Sequence, residues 1–245
     1  MYSFGSGVLL GTRTDIANAT PVNFGLVQEV TIDETATIKE LTGQFQRPVA
    51  IARGTIKTTG KAKVARISGL AFSSLYYGFV PTAGQVATSF AEADTVAATT
   101  PFIVTVANSA TFVADAGVLY ATTGLPLTLV ASAPAAGQYS VAAGVYTFNS
   151  ADEGKAVLVN YTYTISGAGQ KFTVSNQLLG TTPTFAAKFY TTFQGQAISV
   201  QLNNCTASKL SFQTKLEDFI LPELDFSCFA DASGNVMTWS FAEVS

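Results

Sequence analysis

The sequence predicts a mainly β protein on three observations. Thr, Val, Phe and Tyr are abundant among the 245 residues. Runs of these residues are separated throughout by Gly, Pro, Asn and Ser, the spacing of strands and turns. Several runs alternate apolar and polar side chains with period two, whereas a single segment carries a helical pattern.

In chain order, Val27 to Lys39 reads as one long strand and Ile51 to Ile67 as another, with Gly54 and Gly60 as bend or bulge points. Ser68-Gly-Leu-Ala-Phe-Ser-Ser-Leu-Tyr-Tyr77 is the helix. Leu70, Ser74 and Tyr77 fall on one side and Phe72, Leu75 and Tyr76 on a second stripe, and Gly78 and Pro81 end it. A short helix with apolar groups on two sides should lie against a sheet. The middle of the chain holds shorter strands at Phe102–Ala107, Val118–Ala121, Leu127–Val130, Tyr139–Val141, Val145–Phe148 and Ala156–Thr164. Val157, Val159, Tyr161 and Tyr163 alternate with polar neighbours there, and turn signals recur, as in a small sandwich. Thr184–Phe193 and Gln196–Asn203 flank Gln194-Gly195, where the apolar phase flips as a tight hairpin requires. Ser208–Leu216, Leu224–Phe229 and Val236–Phe241 complete the set, the last two joined by a turn at Asp231-Ala-Ser-Gly-Asn235.

Charge divides the chain in the same places. Residues 92–168 contain five acids and one base, Lys155, whereas residues 1–90 contain eight bases and five acids. The expected organisation is a discontinuous β domain, 1–90 and 169–245, interrupted by an inserted sandwich at 91–168.

Composition narrows the function. Charged residues make up 12% of the chain, about half the usual share, which excludes a charge-rich disordered tail. A net charge of −3 argues against a sequence-reading nucleic-acid binder. The absence of His removes His-dependent catalysis and most zinc chemistry. Every apolar run is broken too soon to span a bilayer as a helix, and Met1 to Leu10 lacks the features of a signal peptide. Cys205 and Cys228 fit a reducing compartment as a buried thiol couple, a bridge between them being left open. Synthesis in the cytoplasm is the expectation.

Sites for chemistry are sparse. The sequence has no phosphate-binding glycine loop and no Gly-x-Ser-x-Gly elbow. Glu217, Asp218, Glu223 and Asp225 form its densest carboxylate cluster, which reads as a solvated loop around Pro222 because calcium-loop spacing is lacking. No catalytic residue, metal site or cofactor is expected. Lys57, Lys61 and Lys63, with Arg53 ahead of them, share one parity of their strand. Such a row can contact phosphate, pair with Glu29, Asp33 or Glu34 on a neighbouring strand, blunt a sheet edge, or meet another subunit. The segment Leu41-Thr-Gly-Gln-Phe-Gln-Arg-Pro48 joins the two long strands, its Leu41 and Phe45 serving to cap the core or to touch a partner.

Two longer stretches carry a family resemblance. Thr31-Ile-Asp-Glu-Thr-Ala-Thr-Ile-Lys-Glu-Leu-Thr-Gly-Gln-Phe-Gln-Arg-Pro-Val-Ala50 leads into the Lys-studded strand and the helix, and the chain ends on Phe229-Ala-Asp-Ala-Ser-Gly-Asn-Val-Met-Thr-Trp-Ser-Phe-Ala-Glu243. With these features the chain resembles the tail tube (major tail) proteins of tailed bacteriophages. The piece from Gly137 to Tyr163 is similar to immunoglobulin-like modules inserted in phage structural proteins, although many tube proteins lack an insert or carry it at the C-terminus.

The resemblance implies a tail-tube-type β-sandwich or barrel with one short helix, plus an inserted immunoglobulin-like β-sandwich. It implies a non-enzymatic virion protein whose hexameric rings stack into a tube, in contact with other tail proteins and passing double-stranded DNA without reading it. Six subunits of four strands each would give a barrel roughly 48 Å across. Leu41, Gln44, Phe45, Arg47, Lys57, Lys61 and Lys63 are then candidate inter-subunit contacts, and Thr31, Asp33, Thr35 and Thr37 candidate lumen residues. A receptor- or carbohydrate-binding module and a capsid decoration protein are the alternatives.

Overall fold

The computed structural model describes residues 5–66 and 68–242; Ile67, the expected end of the second long strand, and Glu243, the end of the C-terminal motif, lie outside them. The protein is mainly β, its strand pairs antiparallel except for Thr128–Leu129, which runs parallel to Gln138–Ala142. Four strands precede the helix: β1 (Val8–Arg13), β2 (Val22–Asn23), β3 (Val27–Thr42) and β4 (Pro48–Val64). Seven follow it: β5 (Thr82–Thr95), β6 (Ile103–Thr105), β7 (Phe112–Tyr120), β8 (Thr128–Leu129), β9 (Gln138–Ala142), β10 (Val145–Phe148) and β11 (Ala156–Lys171). The last four are β12 (Phe185–Phe193), β13 (Gln196–Ser211), β14 (Glu223–Phe229) and β15 (Met237–Phe241). No helix among the described residues is long and apolar enough to cross a membrane.

The chain divides into two compact units, Met1–Pro81 with Phe172–Ser245, and Thr82–Lys171. The second begins before residue 91 and ends after residue 168, because β5 and β11 stay paired down to Thr82 opposite Lys171.

In the first unit, eight strands form one sheet in the order β2-β1-β12-β13-β14-β4-β3, with β15 also on β13. Its two terminal strands, β2 and β3, are joined by Phe24-Gly25-Leu26 alone, a link that reaches no more than roughly 14 Å. The sheet therefore rolls until its ends approach each other. Leu9, Phe24, Val27, Val64, Phe185, Leu202, Leu224 and Phe226 are buried together inside the roll.

The predicted helix forms, with the Ser68 hydroxyl capping it at the Ala71 N–H and left-handed Gly78 ending it. Its geometry differs from expectation: Gly69–Ala71 is α-helical, but Phe72–Tyr77 is π-helical. Ala71, Ser73 and Leu75 are its buried residues, and Leu70 is exposed. Arg13 fastens this helix to the sheet by donating to the Ser74 carbonyl oxygen at 3.0 Å.

Gly54 and Gly60, both expected to bend β4, have different roles. Pairing slips between Ala36–Ile56 and Ile38–Arg53, so Gly54 does sit at a bulge. Gly60 is in regular register between Ile32 and Phe226. The Phe226 ring lies over it where a Cβ would be, which is why that position is bare. Gln194 and Gly195 both take positive φ and close the β12–β13 hairpin. β13 continues through the gap left between Asn203 and Ser208 in the sequence reading. β14 and β15 do not pair with each other; both lie on β13, end to end, and Asp231 organises the excursion between them by accepting from the Ser233 and Asn235 N–H groups.

The second unit packs β5-β11-β7 and β6-β10-β9-β8 around a common core including Val104, Val118, Tyr139, Tyr146, Val157, Val159 and Tyr161. Four of its tyrosines, three buried and one half-buried, end on carboxylates. Tyr139 and Tyr146 donate to Asp115 at 2.6 and 2.9 Å, Tyr120 donates to Asp152 at 2.6 Å, and Tyr161 donates to Glu92 at 2.6 Å. Asp152 also accepts from Lys155 Nζ at 2.7 Å and from the Gly137 N–H at 3.0 Å.

Burial works against the charged forms of Asp152 and Glu92. Lys155 and Tyr120 at Asp152, and Tyr161, the Ala107 N–H and Ser89 at Glu92, outweigh it and hold both pKa values below the ordinary range. A carboxyl with a depressed folded pKa stabilises the fold at pH values above its unfolded pKa, and that stabilisation is lost as pH falls through the folded pKa. Amide protection in Thr82–Lys171 should therefore be constant near neutrality and decline below pH about 4. Hydrogen exchange at a series of pH values checks this; Glu92→Gln together with Asp152→Asn should flatten the decline.

Candidate interaction surface on the β3–β4 arm

β3 and β4 pair from Val27–Val64 to Thr42–Pro48, leaving Gly43–Arg47 as the loop. The strands thus run further into the Leu41–Pro48 segment than the sequence suggested. β14 covers the other edge of β4 only from Lys63 to Thr58. From Lys57 to Pro48, no further strand pairs with β4 among the described residues, and the outer edge of β3 has no strand partner along its length. The hairpin therefore leaves the rolled sheet at Thr58 as a two-stranded arm with both edges open. Isolated ribbons of this kind are marginal in water, and open edges invite pairing with another chain.

Register fixes what each face of the arm carries. One face continues the core side of the sheet: Ile32 opposite Gly60, Glu34 opposite Thr58, Ala36 opposite Ile56, Ile38 opposite Arg53 and Glu40 opposite Ile51. Ile32 packs on the core, but beyond it Ile56, Ile38 and Ile51 are exposed. An apolar stripe that is buried in the body thus runs out into solvent, with Glu34, Arg53 and Glu40 set along it. Leu41 and Phe45, at and beyond the end of β3, are 62% and 69% exposed. Neither caps the core.

The other face is polar. Thr31 stands opposite Lys61, Asp33 opposite Thr59 and Thr35 opposite Lys57. Directly opposed residues share a face, so the proposed lumen residues and the lysine row occupy one surface instead of two. Thr37 lies at the bulge, where its hydroxyl donates to the Thr55 carbonyl oxygen at 3.3 Å. Arg53 does not belong to the lysine row. The bulge at Gly54 reverses the alternation, and Arg53 reaches Glu34 at 3.7 Å on the opposite face.

Two of the lysines already have partners in their own chain. Lys61 pairs with Glu223 at 2.9 Å and Lys63 with Glu29 at 2.6 Å. Hydrogen bonding to Glu223 raises the Lys61 pKa, and hydrogen bonding to Lys61 and Lys63 lowers those of Glu223 and Glu29 respectively. Register sets Asp225 between Lys61 and Lys209 and Glu223 opposite Lys63. The result is an alternating lattice of charges across β3, β4, β14 and β13, of the cross-strand kind among the sequence alternatives. Lys57, one step beyond β14, makes no such pair among the described residues, and Gln44 and Arg47 lie exposed in the arm's loop.

The carboxylates clustered in the sequence are separated here. Glu223 and Asp225 face the lysines from β14, whereas Glu217 and Asp218 lie in the exposed loop before it, Asp218 at 3.6 Å from Lys215. Among the described residues, no group of three His, Cys, Asp or Glu side chains is placed to hold a metal ion. Among the other exposed apolar residues, four large ones lie in two loops, Leu178 and Leu179 before β12, and Leu216 and Phe219 before β14. The sequence reading missed Leu178, Leu179 and Phe219, and it placed Leu216 at the end of a strand from Ser208 that in the structure stops at Ser211; Leu178 and Leu179 were signalled by adjacent large apolar residues in a segment without strand alternation. No protein-family profile matches this chain, and no curated protein is detectably similar to it.

Proposed function

We propose that the protein is a non-enzymatic structural subunit that associates with copies of itself, as a tail tube protein does, into stacked rings that conduct double-stranded DNA from a virion. The observation that carries this reading is the arm: an apolar stripe continuing from the core into solvent, on a ribbon with two open edges. A second copy supplies what both lack, strand partners for the amides and an apolar face for Ile38, Ile51 and Ile56. Head-to-tail contacts of this kind propagate instead of closing on a pair.

The polar face suits a wall past which DNA slides. Lys61 and Lys63 are held by carboxylates of their own chain, which lowers the affinity each would add through counterion release. In this reading Thr31, Asp33 and Thr35 line the bore together with the lysines. Lys61→Glu would then set an acid against Glu223 and loosen the sheet in its own subunit, before any effect on a neighbour. The binding-module alternative gains little, since Phe90 is the one strongly exposed aromatic ring among the described residues of Thr82–Lys171.

The test is assembly. Purified protein should form rings or tubes by negative-stain microscopy and large species by light scattering. Ile38→Asp with Ile51→Asp, both at exposed positions, should leave circular dichroism unchanged and yield monomers. A wild-type protein that stays monomeric over the accessible concentration range, or a double variant that assembles like wild type, would refute the reading.

A further inference from the structure

Cys205 on β13 and Cys228 on β14 are directly opposed, both free, with their sulfurs 3.3 Å apart. Cys205 is fully buried in the core, whereas Cys228, at the end of its strand, is partly open to solvent. We propose that this pair is a thiol–disulfide exchange site, which small-molecule disulfides oxidise to an intrachain Cys205–Cys228 bridge by entry at Cys228.

Three features support it. Sulfurs at this separation need to close by only about 1.3 Å to reach bonding distance, and both already sit on facing strands held in register. The difference in exposure assigns the roles, since only Cys228 can meet a reagent from solution. Hydrogen bonding from Cys205 also favours the Cys228 thiolate, while that contact and burial push the Cys205 thiol up; thiolate character is what makes a cysteine reactive.

With glutathione disulfide, the Cys228 thiolate attacks one sulfur and expels one glutathione thiolate, leaving a mixed disulfide. Cys205 then gives up its proton and attacks the Cys228 sulfur, expelling the second glutathione. The two protein thiols lose two protons and two electrons, and the reagent gains both as two thiols. Position gives the bridge a consequence. Cys228 is also the register partner of Thr58, the residue at which the arm leaves the sheet, so oxidation staples β13 to β14 at the root of the arm.

The experiment incubates the full chain with glutathione disulfide and reads intact mass before and after alkylation. Wild type should lose two hydrogens, retain no glutathione, and block both thiols to iodoacetamide until a reductant is added. Its melting temperature should rise by roughly 5–10 °C. Cys205→Ser should trap one glutathione, mapped to Cys228, and Cys228→Ser should take up none. Should Cys205→Ser fold poorly, the wild-type mass and thiol count decide alone. Wild type that keeps both thiols alkylatable, or that accumulates the mixed disulfide, would overturn the proposal.

Discussion

Asp115→Ala should destabilise the Thr82–Lys171 unit by about 3–5 kcal/mol, because it strands two buried hydroxyls at once. Tyr139 and Tyr146 both end on this carboxylate, which also accepts from the Gly117 N–H at 3.1 Å. Burial and the adjacent Asp115 charge push both phenol pKa values far above the ordinary range, so neither hydroxyl escapes the need for an acceptor by ionising. Their rings are fully buried, with centroids 5.7 Å apart, so neither can swing to water without opening the core. Hydrogen exchange read segment by segment should show the loss within residues 82–171 and leave β12–β14 protected. Adding Tyr139→Phe and Tyr146→Phe should recover part of the loss by removing the orphaned groups. A uniform loss across the chain would show that Asp115 has a different role.

The second large effect belongs to Gly60. A Cβ at this position would overlap the Cε2 and Cζ atoms of Phe226, and Phe226 is 1% exposed with Phe185 edge-on at 5.8 Å. Gly60→Ala should therefore cost about 3 kcal/mol or more in the otherwise unchanged protein, the upper range for overpacking. Phe226→Ala should cost about 3–5 kcal/mol by leaving a cavity. In that background the methyl group added by Gly60→Ala enters space the ring has vacated, so the combined loss should fall well short of the sum. Urea unfolding of the four proteins of this cycle measures the coupling. Additive losses would mean that the ring does not set the identity of residue 60.

Val157, Val159 and Tyr161 announced β11 because one face of that strand is buried and the alternation records it. β5 left no such trace: its largest apolar residues, Val86 and Phe90, are exposed, and the strand exists chiefly because β11 pairs with it. Gly60 and Gly54 look alike in a one-dimensional string, and only strand pairing separates a ring-packing site from a bulge. The same bulge explains why Arg53 was grouped with lysines that face the other way. Leu41 and Phe45 were visible as apolar residues in a polar segment, but their exposure depends on where β14 stops covering β4, a long-range fact. The helix was legible in its apolar pattern and in the Gly78 and Pro81 that end it, whereas the π-helical geometry of Phe72–Tyr77 left no mark in the spacing.

The pairing of Thr82 with Lys171 has a consequence for how the chain reaches its native state. Once the inserted segment has organised itself, its entry and exit points are neighbours, and the host experiences it as a tether of a few residues. Ring-closure entropy between the helix and β12 is then set by residues 78–81 and 172–184 with that junction between them, since the cost depends on the flexible length alone. The host's topology is accordingly indifferent to the size of the cassette threaded at this position, and exchange for a shorter or longer module leaves its folding problem unchanged.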